Sequence, residues 1–93
     1  MLSHDAHHLN LDCGIAYSRI ASWLDDDLAL PRNDGRWVFA AGQGTCSISA
    51  EPLESRSFSR IELERTHLVA EGDSDALEVF EKLFTLRFIS AGG

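Results

Sequence analysis

Apolar side chains recur at helical spacing between positions 76 and 84, and this segment constrains the fold more than any other. The sequence therefore predicts a helix over residues 74–84, with Ser74 or Asp75 suited to cap its start. A helix with one apolar side must bury that side against another element, so the chain needs a second layer. The apolar stripe consists of Ala76, Leu77, Phe80, Leu83 and Phe84.

A second helical stripe lies near the beginning of the chain and predicts a helix from about Ile15 to Asp25. Three consecutive aspartates, at 25–27, would place negative charge at its C-terminal end, where the helix dipole disfavours anions. We expect the helix to fray there, and Pro31 prevents it from continuing further. The stripe consists of Ala16, Ile20, Trp23, Leu24 and Leu28.

The remaining segments alternate apolar and polar side chains, as strands with one buried face do. The loop Gly42-Gln43-Gly44 predicts a hairpin between two of them, and Pro52 is expected to interrupt the second strand of that hairpin. The run at 9–13 is short, so its existence is left open. The predicted strands are 9–13, 36–41, 45–50, 57–70 and 85–90.

These elements predict an α+β fold, a two-layer sandwich that is ferredoxin-like or related. Its sheet is mostly antiparallel, with about four to five strands and two helices on one face. Without the strand at 9–13, the same elements form a three-stranded meander with a late fourth strand. The 93 residues predict a single domain, 1–93, with residues 1–8 as a disordered N-terminal tail.

Charge and hydropathy narrow the class of partner. The formal net charge of −7 argues against nucleic acid, since a phosphate backbone would be repelled on average. The longest uncharged stretch, Trp37 to Ala50, is too short and too polar to cross a bilayer, so no membrane contact is predicted. The N-terminus lacks the basic start and apolar run of a secretory signal, which predicts a cytoplasmic location.

Metal-binding and nucleophilic residue types are present without the spacing of a site. His4, His7 and His8 are candidate metal ligands, but mobile histidines do not fix a coordination geometry, so no metal and no cofactor are predicted. Cys13 and Cys46 lack the spacing of redox pairs or zinc knuckles. Cys46 with His67 as a base would form a nucleophile, but the alternation places Cys46 in the core, so we expect no enzyme.

A polar row on the third predicted strand is the candidate binding surface. Arg60, Glu62 and Glu64 occupy successive outward positions, and Arg87 is expected to face them from the last strand. This sheet face would meet an unknown protein partner. The strand at 85–90 is also expected to lie at a sheet edge, which predicts a weak homodimer.

The C-terminal residues Ser90-Ala91-Gly92-Gly93 resemble the diglycine end of ubiquitin-like sulfur carriers. The resemblance implies a terminal carboxylate, on Gly93, that is activated and thiolated. Our leading hypothesis is a small non-enzymatic binding or protein-interaction domain. The alternatives are a sulfur carrier acting through Gly92 and Gly93, and a small enzyme or ligand-binding protein whose site is not visible in the sequence.

Overall fold

The computed structural model describes residues 7–58 and 61–89, without the side chains of 55–62. These residues form a five-stranded antiparallel sheet with two helices packed on one face, which confirms the predicted α+β class. The helices are α1 (Tyr17–Ser22) and α2 (Ser74–Phe84). The strands are β1 (His7–Cys13), β2 (Arg32–Asn33), β3 (Arg36–Ala41), β4 (Gly44–Phe58) and β5 (Ile61–Gly72).

The strand order is β1-β5-β4-β3-β2, so the last four strands form a meander and the first strand is added beside β5. The strand at 9–13, whose existence the sequence did not decide, is therefore present as part of β1. Its register runs from His7 opposite Gly72 to Cys13 opposite Thr66, without a shift. Residues 1–6 of the predicted tail lie outside the described residues, and β1 begins at His7.

The β4–β5 hairpin is longer than the alternation predicted. The expected interruption at Pro52 is wrong, because β4 continues through Pro52, which pairs with Thr66 on β5. Since β4 pairs with β3 only as far as Ile48, its other side is an edge at this point, where proline costs no ladder hydrogen bond. One extra residue between Leu53 and Arg56 bulges β4 without breaking the strand.

The core lies between the helices and the central strands. Both predicted helical stripes contribute to it, and Ile20, Leu24 and Phe80 are fully buried. The sheet contributes alternate residues of three strands, as expected for a sheet with one buried face. These sheet residues are Trp37, Phe39, Cys46, Ile48, Leu68 and Ala70.

The predicted last strand, 85–90, is wrong, because the chain from Thr85 to Ile89 continues α2 as a wider π-helical turn. The cause is aromatic packing. Phe80, Phe84 and Phe88 follow one another at intervals of four, and their ring centroids lie 5.9, 6.0 and 5.3 Å from that of Trp23. Contact with a ring about sixty residues earlier in the chain thus overrides the local alternation.

Helix α1 also ends in a π-helical turn, Trp23–Asp27, closed by a 2.9 Å bond from the Leu28 N–H to the Trp23 carbonyl. One aspartate of this turn, Asp25, is held by side chains of other segments. Asp25 accepts hydrogen bonds from Trp37 Nε1 at 2.7 Å and from Arg32 at 3.3 Å. These bonds, first that of Trp37, lower the pKa of Asp25 and offset the unfavourable charge at the helix end.

Candidate interaction groove beside the first strand

A groove with a volume of about 380 Å³ separates β1 from α2. Strand β1 lines one side with residues 7–9, and α2 lines the other with five residues between Ser74 and Glu81. Its floor is apolar. Leu9 is half-buried against the core, and Leu77 is buried within it. The groove therefore combines an apolar base with two walls, one formed by the edge strand β1 and one formed by α2.

The first wall is the outer edge of β1. Among the described residues, β5 is its only strand neighbour. In an antiparallel edge strand, about half of the residues direct their N–H and C=O groups away from the sheet. Residues 7–9 of this edge line the groove, so another extended chain that pairs with β1 would lie beside it.

The second wall is acidic. Asp75, Glu78 and Glu81 follow one another at intervals of three on α2, and all three are exposed. Residues spaced in this way are neighbours on a helix surface. No lysine or arginine of the described chain lines the groove. Three carboxylates thus lie beside the open edge of β1.

The position of α2 relative to β1 is fixed at Gly72, which pairs with both His7 and Cys46. Gly72 has φ +149°, and a Cβ there would lie 2.5 Å from the carbonyl oxygen of Thr45. The next residue, Asp73, binds Thr45 twice, accepting from its N–H at 2.9 Å and donating to its carbonyl at 3.0 Å. The close backbone approach at this glycine ties the start of α2 to the start of β4.

Of the four residues of the predicted polar row, Glu64 and Arg87 have described side chains. Glu64 is exposed and lies on the helix side of β5, while Arg87 lies in the helical extension of α2, 4.0 Å from Asp27. The side chains of Arg60 and Glu62 lie outside the described residues. The phase of β5 differs from the predicted one because Thr66, Leu68 and Ala70 set its buried face.

The face of the sheet away from the helices carries other charged pairs. Glu71 binds His8 at 3.2 Å and Arg36 at 3.1 Å, and Asp12 binds His67. These pairs link β1, β5 and β3 across the sheet. Each is partly or fully exposed, so it contributes only about 0.2–1 kcal/mol.

The two candidate metal ligands that the structure describes, His7 and His8, do not converge. His7 and His8 are successive residues of β1, so their side chains point to opposite faces of the sheet, and His4 lies outside the described residues. No group of three or more metal-ligating side chains occurs in the part of the chain that the structure describes.

The candidate nucleophile and base are also separated. Cys46 faces the core, and His67 is on the opposite face of the sheet, where it binds Asp12. Burial, reinforced by the charge of Asp73, raises the pKa of Cys46 to about 11. Burial and the charge of Asp12 likewise raise the pKa of Cys13, so both thiols are protonated at neutral pH.

Sequence reasoning missed the groove, because nothing local indicates that β1 lies beside α2. One signal was present, since acidic residues at 75, 78 and 81 share one side of the best-defined helix. The diglycine of the carrier alternative, Gly92 and Gly93, lies outside the described residues.

No protein-family model, curated protein or solved structure matches this chain. Within residues 7–58 and 61–89, no helix is both long and apolar enough to cross a membrane. The function is therefore inferred from the groove itself and from the chemistry of the residues that line it.

Proposed function

We propose that this protein is a non-enzymatic protein-interaction domain that binds an extended segment of a partner protein along β1. The observation that carries this proposal is that β1 is an edge strand of the described sheet and lies beside a groove of about 380 Å³ with an apolar floor. Addition of a strand to an exposed sheet edge is a recurrent mode of peptide recognition, in which backbone hydrogen bonds supply affinity.

The two edges of the sheet differ in a way that supports this choice. Exposed edge strands are commonly protected from pairing by lysine, proline, a bulge or shortness. Strand β2, at the far edge, has two residues and follows Pro31. Strand β1 has seven residues, contains neither lysine nor proline, and pairs with β5 without a bulge. Of the two, β1 is the edge suited to accept another strand.

An added strand would direct alternate side chains to opposite faces of the sheet. One set would enter the groove between Leu9 and Leu77. The other set would lie over the open face, beside Asn10 and Asp12. Backbone pairing would thus bind the segment, and the groove would select its side chains.

The test uses backbone N-methylation, which removes N–H donors without changing side chains. A fluorescein-labelled heptapeptide of alternating valine and lysine is titrated with the protein and followed by fluorescence anisotropy. We expect a Kd of about 10–100 μM.

Two N-methylated forms of this peptide distinguish backbone pairing with β1 from binding that does not use backbone hydrogen bonds. One is methylated at the odd positions and the other at the even positions, so only one form loses the N–H groups that face β1. We expect that form to bind at least about tenfold more weakly and the other to bind unchanged. Equal binding by both forms would show that no strand is added and would overturn the proposal.

A further inference from the structure

We propose, resting on the function proposed above, that the segment bound along β1 is basic, with lysine or arginine at alternate positions facing α2. The acidic wall of the groove supplies the complementary charge, through Asp75, Glu78 and Glu81.

These three carboxylates have no partner within the described residues. None of them takes part in an ion pair or a side-chain hydrogen bond there. Like charges spaced three apart on a helix repel one another, and no ion pair among the described residues offsets this repulsion. Cationic side chains bound in the groove would neutralise the charge of these carboxylates.

The dimensions of the wall match an extended segment. From Asp75 to Glu81 the helix rises about 9 Å, at 1.5 Å per residue. Alternate side chains of a strand are about 6.8 Å apart. Two basic residues separated by one other residue therefore span all three carboxylates. Their long aliphatic stems would cover the apolar floor at Leu9 and Leu77 while their charged ends reach α2.

A second copy of the chain fits this groove poorly. Its β1, His7–Cys13, contains no lysine or arginine to meet the acidic wall. Pairing β1 with β1 would also bring together two molecules of net charge −7, each with its own acidic helix beside the junction. A basic segment of another protein satisfies both the backbone edge and the charge.

The experiment varies charge on both sides of the groove. The lysine heptapeptide is compared with versions carrying glutamine or glutamate in place of lysine. The protein is compared with a Glu78→Gln, Glu81→Gln double variant. A matched control, Asp26→Asn with Asp34→Asn, changes the net charge equally on exposed residues that do not line the groove.

We expect the lysine peptide to bind at least about tenfold more tightly than the glutamine peptide, and the glutamate peptide not to bind. The groove double variant should weaken lysine-peptide binding about tenfold, and the control less than about twofold, with affinity falling as salt rises. Equal weakening by the two double variants would assign the effect to net charge and would overturn the inference.

The two proposals fail separately. If the glutamine peptide binds as tightly as the lysine peptide while the N-methylated forms still differ, strand addition stands and the basic partner is wrong. If no peptide binds at concentrations up to about 1 mM, both are wrong. Binding that appears only after residues 1–6 are removed would assign the groove to the chain's own beginning and would refute a separate partner.

Discussion

Phe80→Ala tests the packing that places α2 above the sheet. The ring of Phe80 is fully buried at the point where both helices meet the sheet. Its centroid lies 5.6 Å from Phe39 on β3, 5.9 Å from Trp23 beside α1, and 6.2 Å from Phe84. Removing the ring leaves a cavity bordered by the sheet, by the turn after α1 and by α2 itself.

The magnitude follows from this environment. Truncation of a buried phenylalanine to alanine costs about 3–5 kcal/mol. Aromatic pairs add about 0.5–1.5 kcal/mol beyond area burial, so three neighbouring rings place Phe80 at the upper end, about 4–5 kcal/mol. A domain of 93 residues has a free energy of unfolding of about 5–14 kcal/mol. The variant is therefore expected to be marginally folded.

Urea unfolding followed by circular dichroism measures the loss. With a slope of about 1–1.5 kcal/mol per molar urea, the midpoint should fall by about 3–5 M. Val79→Ala is the control, because Val79 is the adjacent helical residue and is 38% exposed. Its cost should stay below about 1 kcal/mol. A Phe80→Ala variant within about 1 kcal/mol of the parent, at an unchanged slope, would refute the assignment of this ring to the core.

Two further predictions concern the helix ends. Because hydrogen bonds from Trp37 and Arg32 hold the pKa of Asp25 below its usual range, its contribution to stability is present at neutral pH and is lost as the pH falls below about 4. Asp25→Asn should therefore lower the urea midpoint at pH 7, and a difference that persists at pH 2 would contradict this. Residues 85–89 are helical and offer no strand edge for the predicted weak homodimer, so we propose that Leu86, 68% exposed on this extension of α2, supports it instead. Sedimentation should show self-association that Leu86→Asp removes, and a parent that is monomeric up to about 1 mM would refute the homodimer.

Local periodicity was sufficient to predict both helices and the hairpin between β3 and β4. The stripe containing Phe80 repeats every three to four residues, and the residues flanking Gly42 and Gly44 alternate, so each pattern is complete within its own segment. These elements could be predicted because the signal and the structure occupy the same few residues.

The errors occurred where a distant contact decides the local structure. The segment at 85–89 alternates like a strand, but Phe88 continues the series of Phe80 and Phe84 and packs on Trp23. Pro52 indicates a strand end in most contexts, yet here β4 has an open side because β3 is short. Neither the position of Trp23 nor the short length of β3 can be deduced from the segment that it affects.

The candidate groove is formed entirely by contacts between segments that are distant in the sequence. It exists because β1 pairs with β5, more than fifty residues away, and because Gly72 allows α2 to begin beside the start of β4. The sequence contains both walls in recognisable form, a short alternating strand and a helix with carboxylates at regular intervals. Only the topology places one beside the other.

Substitutions in the acidic wall can distinguish a structural role of these residues from a role in binding. A residue that stabilises a fold costs stability when it is removed, whereas like charges at positions three apart are expected to destabilise the free helix by about 0.2–0.5 kcal/mol per pair. Replacing Glu78 and Glu81 by glutamine should therefore leave the free energy of unfolding unchanged or slightly higher, while it weakens binding of a basic strand. Since no ion pair among the described residues uses Glu78 or Glu81, we expect their energetic role to lie in what the groove binds. A double variant that unfolds more easily than the parent would instead show that the wall supports α2, and the reasoning from unrelieved charge to a basic partner would lose its basis.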